Sequence, residues 1–290
     1  MKIGFIGFGE AAFNLATGLK SEGLTGFFAY DAMENDLVMG KLIKNNAEKT
    51  GATLVPTAID LVQSVDIIIS AVPSTYTLGV CNEIKEHLRP NQIYVDVSAS
   101  TTYIKEQIWN SVKDKGVLFV DAAMMGSLPK DKHRVPITAS GNGAEKFKEL
   151  MTPYNMQIST VGEKAGTASA IKLIRSIFMK GISALMIETL QAADAYDVTD
   201  EIVKSISKSM DGIAFTSHLD RLVIGSAIHC KRRADELKGS IEMLEDANLD
   251  FRMTIASMER LKSLEKYDFA KRYIENRPSG YQEIIESIRV

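Results

Sequence analysis

Six residues near the N-terminus, Gly7-Phe8-Gly9-Glu10-Ala11-Ala12, have the types and spacing needed to hold a pyrophosphate. Gly7 lets the chain turn sharply out of a strand, and Gly9 lets backbone amides approach an anion with no side chain between them. A helix starting there aims the free amides and positive dipole end of its first turn at the same point. The small Ala12 allows that helix to lie close to the strand before it. Asp31, 22 positions after Gly9, ends the next candidate strand. Its carboxylate can accept hydrogen bonds from ribose hydroxyls and repel a 2′-phosphate; the competing role is a cap for the following helix. Ala32, Met33 and Glu34 offer no cation to a 2′-phosphate, so the pattern predicts NAD rather than NADP. Further cofactor contacts are expected from Val72, Pro73, Ser74 and Ser98, which follow candidate strands at the edge where such sheets bind ligands.

Elements of the right kind surround these residues. Strands are expected over 2–6, 27–31, 67–70, 93–97, 117–120 and 135–139, each rich in Ile, Val or Phe. Helical spacing of apolar residues fills 11–21, 34–49, 58–63, 78–87 and 103–113 between them. Such alternation predicts an α/β fold, a Rossmann-type doubly wound parallel sheet with helices on both faces. Past about residue 161 no strand is expected. A Pro-free helix over 165–196 leads into helices at 200–210, 217–223, 227–245, 251–264 and 281–288. The chain is therefore divided into a dinucleotide-binding domain, 1–164, and an all-helical domain, 165–290.

Composition narrows the function. The 290 residues are 45% hydrophobic and 24% charged, with a formal net charge of -3 and no strongly basic block, so nucleic acid is not an expected partner. The longest apolar runs fall far short of the roughly 20 residues of a membrane helix. No signal peptide is apparent, and Cys81 and Cys230 lie far apart without metal-ligand spacing; a cytoplasmic, metal-free protein is expected.

Two later blocks carry the reaction chemistry. They are Asp121-Ala122-Ala123-Met124-Met125-Gly126-Ser127 and Gly166-Thr167-Ala168-Ser169-Ala170-Ile171-Lys172. With the opening turn, in order and separation, they resemble the motifs of the β-hydroxyacid dehydrogenase superfamily, which includes 6-phosphogluconate dehydrogenase. That family's substrate loop usually reads Asp-Ala-Pro-Val-Ser-Gly-Gly, and its catalytic lysine lies six residues after the first glycine of the second block. The stretch 229–237 is similar to the short helical C-terminal domain of a poorly characterised phosphogluconate-dehydrogenase-like branch.

The resemblance implies that Lys172 moves a proton to or from the substrate oxygen while a hydride moves from or to the nicotinamide. It also implies substrate contacts at Ser98, Met125, Gly126 and Ser127, and a homodimer built on the C-terminal helices. Three positions depart from the family pattern. Arg175 and Ser176 stand where two asparagines usually follow the lysine, and Met125 replaces the loop serine. Lys172, Arg175 and Ser176 span about one helical turn, and Lys180 lies two turns beyond Lys172 on much the same face. These cations suit a carboxylate, phosphate or sulfonate on the substrate; alternatively they pair with a neighbouring subunit. The expected activity is NAD-dependent hydride transfer on a small anionic hydroxy acid or its keto or semialdehyde form, with or without decarboxylation. The alternatives are imine reduction, against which Lys172 counts, and a non-catalytic dinucleotide sensor.

Overall fold

The computed structural model describes residues 1–289. Strands β1 (Ile3–Ile6), β2 (Phe27–Tyr30), β3 (Thr53–Leu54) and β4 (Ile67–Ser70) alternate with helices α1 (Glu10–Ser21), α2 (Met39–Thr50) and α3 (Ala58–Ser64). Helix α4 (Thr77–Ile84), β5 (Ile93–Asp96), α5 (Thr102–Val112), β6 (Leu118–Met124), the short α6 (Leu128–Asp131), β7 (Ile137–Ser140), α7 (Ala144–Met151) and β8 (Ile158–Thr160) complete this half. One eight-stranded sheet results, in the order β3-β2-β1-β4-β5-β6-β7-β8. Every residue of β1, β4 and β5 is buried, as expected for central strands covered by helices on both faces. The order reverses between β1 and β4, so the ligand crevice expected of such a sheet opens beyond their carboxyl ends.

The Rossmann-type architecture is as the alternation predicts, with one correction to the wholly parallel sheet. Strand β7 runs antiparallel to β6, pairing Asp121 with Ser140 and Met124 with Ile137. The connection 125–136 is too short for a helix long enough to cover the sheet, and it folds back instead, closed by a Met125 N–H bond to the Pro136 carbonyl at 2.7 Å. Strands β3 and β8 and helices α6 and α7 are additions to the elements expected in this half; the two strands are too short to show a period. Helix α2 starts at Met39, later than expected. The Asp36 carboxylate accepts bonds from the Val38 and Met39 amides at 2.9 and 2.8 Å and sets the first turn there.

The chain divides into two compact units, Met1–Ile177 and Phe178–Val290, with the division inside the long helix α8 (Thr167–Ala195). The second unit continues with α9 (Thr199–Met210), α10 (Phe215–Ile228), α11 (Cys230–Asp246), α12 (Arg252–Lys262), α13 (Phe269–Arg272) and α14 (Tyr281–Ser287). Its small core gathers Ala227, Cys230, Leu264, Phe269 and Ile284. Buried Glu188 holds the start of α12 by accepting from the Met253 and Thr254 amides, both at 2.8 Å, and from Thr254 Oγ1 at 2.6 Å. Among the described residues no helix is long and apolar enough to cross a membrane.

Candidate functional site

The phosphate-binding turn is built as its glycines require. Gly7 has φ +83°, and a Cβ there would lie 2.8 Å from the Ala71 carbonyl oxygen, so the turn packs directly on the loop after β4. Gly9 differs. Its φ of -78° suits any residue, and a Cβ there would meet nothing within 4 Å. The protein itself does not demand a glycine at this point; a ligand lying on the backbone would. No side chain caps the first turn of α1, whose amides remain available to an anion. Asp31 is anchored beside the turn, its Oδ2 accepting from the Phe8 amide at 2.7 Å and its Oδ1 from the Met33 amide at 2.9 Å. Each oxygen keeps a lone pair for a further donor. These features fit a dinucleotide: Gly7 and Gly9, with the amides of Glu10 and Ala11, would take the pyrophosphate, and Asp31 would take the adenosine ribose.

The remaining cofactor candidates lie in loops at the same carboxyl edge. Val72 is half-buried, with a methyl group 2.9 Å from the position of a Gly7 Cβ, whereas Pro73 and Ser74 are exposed. Ser98 is buried after β5, its amide on Asp96 Oδ1 at 2.9 Å and its hydroxyl 2.6 Å from that of Ser100.

Beneath this edge lies an ionic cluster that the sequence does not mark. Asp96 ends β5 and faces Asp121 of β6 in the strand register. Two buried carboxylates side by side would repel, and Lys105 of α5 answers both. Its Nζ lies 2.9 Å from the Asp96 carbonyl oxygen, 3.2 Å from Asp96 Oδ2 and 3.3 Å from Asp121 Oδ1, and all three side chains are 0% exposed. Asp96 also accepts from Thr77 Oγ1 at 2.8 Å. Asp121 accepts from Ser169 twice, from Oγ at 2.7 Å and from the amide at 2.9 Å, while the Ala168 amide donates to Ser140 Oγ at 3.0 Å. The start of α8 is thereby tied to β6 and β7. Gly166, at φ +89°, admits the Thr102 backbone, which a Cβ would approach within 3.0 Å.

Three residues after Ser169, on the same side of the helix, comes Lys172. It is half-buried, and that burial pushes its pKa below the ordinary lysine value; the nearby Lys105 charge pushes the same way and Asp121 opposes. Ser176 is half-buried, whereas Arg175 is exposed and has no ion-pair partner among the described residues. Lys180 is exposed in the second unit. Met125 is half-buried at the end of β6; Gly126 and Ser127 are exposed in the loop leading to α6. Burial pushes the Cys81 thiol up to about 12, which leaves it inert as a nucleophile.

Neither type nor spacing singles out Lys105 and Ser169 in the sequence. Lys105 reads as one polar residue on an amphipathic helix, and Ser169 as one small residue in a helix start. The available signal is the pair of acidic residues in adjacent apolar strands, which needs a cation somewhere.

Residues 2–162 match the family model of the NAD binding domain of 6-phosphogluconate dehydrogenase, and residues 193–264 match that of a domain of unknown function. An uncharacterized 28.5 kDa protein from Methanothermus fervidus is 30% identical over 239 residues, 82% of this chain and 88% of that one. A conserved protein of unknown function, reported to be structurally similar to 3-hydroxyacid dehydrogenases, is 30% identical, with a TM-score of 0.62 over 92% of this chain and 97% of that one. An imine reductase from Myxococcus stipitatus in complex with NADP+ shares the fold, with a TM-score of 0.72 at 16% identity over 95% of this chain and 100% of that one.

Proposed function

The chain belongs to the family defined by the NAD binding domain of 6-phosphogluconate dehydrogenase, and on that footing we propose an NAD-dependent dehydrogenase of small anionic hydroxy acids, or a reductase of their keto or semialdehyde forms. The observation that supports this reading is the anchorage of the first turn of α8, where Ser169 bonds Asp121 of β6 three residues before Lys172. Bound nicotinamide supplies or accepts the hydride. Reduction of a carbonyl builds negative charge on its oxygen, which the Lys172 ammonium stabilises and then protonates. In the oxidative direction the neutral amine takes the hydroxyl proton. Arg175 and Ser176, which follow Lys172 on α8, would supply donors for the acid group, with Met125, Gly126 and Ser127 as further substrate contacts.

The test is nicotinamide absorbance with NAD and NADH against a panel of β-hydroxy acids, keto acids and semialdehydes, with cyclic imines alongside. Turnover of a hydroxy acid or its carbonyl form is expected; turnover confined to the imines, or none with any compound, overturns the proposal.

NAD is preferred in this reading because the Asp31 carboxylate repels a 2′-phosphate. Asp31→Asn removes the charge and keeps an acceptor for one of the two neighbouring amides. Its ratio of kcat/KM for NAD over NADP is expected to fall about tenfold, roughly 1.4 kcal/mol of discrimination. An unchanged ratio removes Asp31 from cofactor choice.

The enzyme in this reading acts as a cytoplasmic homodimer. The two buried free cysteines suit a reducing compartment. For the dimer, α8 leaves Leu185, Met186, Ile187 and Leu190 exposed, and α9 leaves Val203 and Ile206 exposed, an apolar surface that a second copy would cover. Sedimentation velocity is expected to give twice the mass of the 31.9 kDa chain; a monomer at micromolar concentration is the contrary result.

A further inference from the structure

We propose that Lys105 is a positioning residue for Lys172, its buried ammonium locking Asp121 in the orientation that grips the first turn of α8 through Ser169. This rests on the reading of Lys172 as the proton-transfer group and adds what sets it in place.

The chain of contacts is continuous. Lys105 lies between Asp96 and Asp121, 3.2 and 3.3 Å from their carboxylate oxygens. The Asp121 oxygen that faces Lys105, Oδ1, also accepts the Ser169 hydroxyl at 2.7 Å, and its Oδ2 accepts the Ser169 amide at 2.9 Å. Rotation of this carboxylate would break both bonds to Ser169. Lys105 therefore fixes more than its own ion pair, because the helix phase at Ser169 sets where the side chain three residues later points. The hydrogen bond from the Ala168 amide to Ser140 Oγ holds the same turn from the neighbouring strand. Residues of α5, β5, β6, β7 and α8 thus meet at one buried point.

The cluster also acts on Lys172 through charge. The charged groups that influence Lys172 are Lys105 from α5 and Asp121 from β6, with opposite signs. Lys105 offsets the attraction by which Asp121 would hold Lys172 protonated, and so acts with burial to keep the Lys172 pKa below the ordinary lysine value. A solvated lysine or arginine elsewhere could not do this, since neither would be held against both aspartates. Lys105 needs no contact with substrate or cofactor for this role.

The experiment reads Lys172 directly, without a substrate. Native protein is reductively methylated with ¹³C-formaldehyde and its dimethyl-lysine signals are titrated by NMR. The Lys172 signal is the one missing from Lys172→Arg; Lys105, fully buried, is not modified. In the wild type the Lys172 signal is expected to titrate below those of the surface lysines. In Lys105→Met its midpoint moves up by about one pH unit, towards theirs. Lys105→Met/Asp96→Asn keeps the net charge of the cluster and serves if the single variant does not fold; the same upward movement is expected. A Lys172 midpoint unchanged in a variant that folds and still binds NADH overturns the proposal. A wild-type midpoint equal to those of the surface lysines does so as well. Failure of the functional reading would show elsewhere, as turnover that survives loss of Lys172, and would leave these titrations as they are.

Discussion

Lys172→Met is expected to lower kcat for the hydroxy acid or its carbonyl form by roughly a hundredfold to ten-thousandfold, the range for losing a positioned acid–base group. Methionine keeps most of the length and apolar character of the lysine stem, so the half-buried chain still packs and only the ammonium is lost. NADH binding, followed by fluorescence titration, should be unchanged, because the pyrophosphate turn lies between β1 and α1 and Asp31 directly follows β2, far from Lys172 in the chain. The wild-type pH profile carries the sign. Oxidation needs the neutral amine, so its rate rises with pH and levels off above the Lys172 pKa. Reduction needs the ammonium, so its rate falls as pH rises through the same value. Burial lowers that pKa and the Lys105 charge lowers it further, so both limbs should lie below where an exposed lysine would put them. In Lys172→Met both limbs should vanish. A variant whose kcat stays within a few-fold of wild type, with its pH limbs intact, would show that Lys172 is not the proton-transfer group.

How much of the fold is legible in the sequence follows from the range over which each signal acts. The turn at Gly7 and the helix after it are local: a strand, a left-handed glycine and an uncapped helix start occupy ten consecutive residues, and sequence shows them directly. Central strands are legible for a similar reason, since β1, β4 and β5 are buried on both faces and must be apolar throughout. Strand β3 is not legible, because Thr53–Leu54 is two residues held only by pairing with β2. The direction of β7 depends on how 125–136 packs, which no periodicity records. The site divides along the same line. Lys172 stands in a short block with glycine at its head, whereas the cation that arranges it is supplied from α5, 67 positions earlier in the chain. Spacing cannot reveal such a group; only the register that sets Asp96 beside Asp121 makes its need apparent. Arg175 illustrates the opposite limit. Its place one turn beyond Lys172 is plain from sequence, yet it is exposed, and its proposed partner is a ligand rather than another side chain.

The largest stability change is expected from the same buried cluster. Lys105→Met should lower the unfolding free energy of the first unit by about 3–5 kcal/mol, the usual cost of removing one member of a buried ionic set. The loss does not measure the attraction between Lys105 and the aspartates. It measures what remains when Asp96 and Asp121 face each other across β5 and β6 with no cation, sealed from water. Urea unfolding followed by Trp109 reads this unit alone, because Trp109 is the single tryptophan of the chain, lies in α5 and stacks on Phe119. Two accounts of the cost then separate. If unpaired carboxylates cause it, Lys105→Met/Asp96→Asn should regain more than half of the lost stability, since one buried charge is gone and the carbonyl of the introduced amide can still accept from Thr77. If the cost comes from imperfect packing of methionine in place of the lysine stem, the double variant should be no more stable than the single one, as removing a carboxyl charge does nothing for packing. The first outcome would mean that the fold tolerates the loss of Lys105 once Asp96 is neutral, which separates the stability of the sheet from the hold that Lys105 has on Asp121 and, through Ser169, on α8.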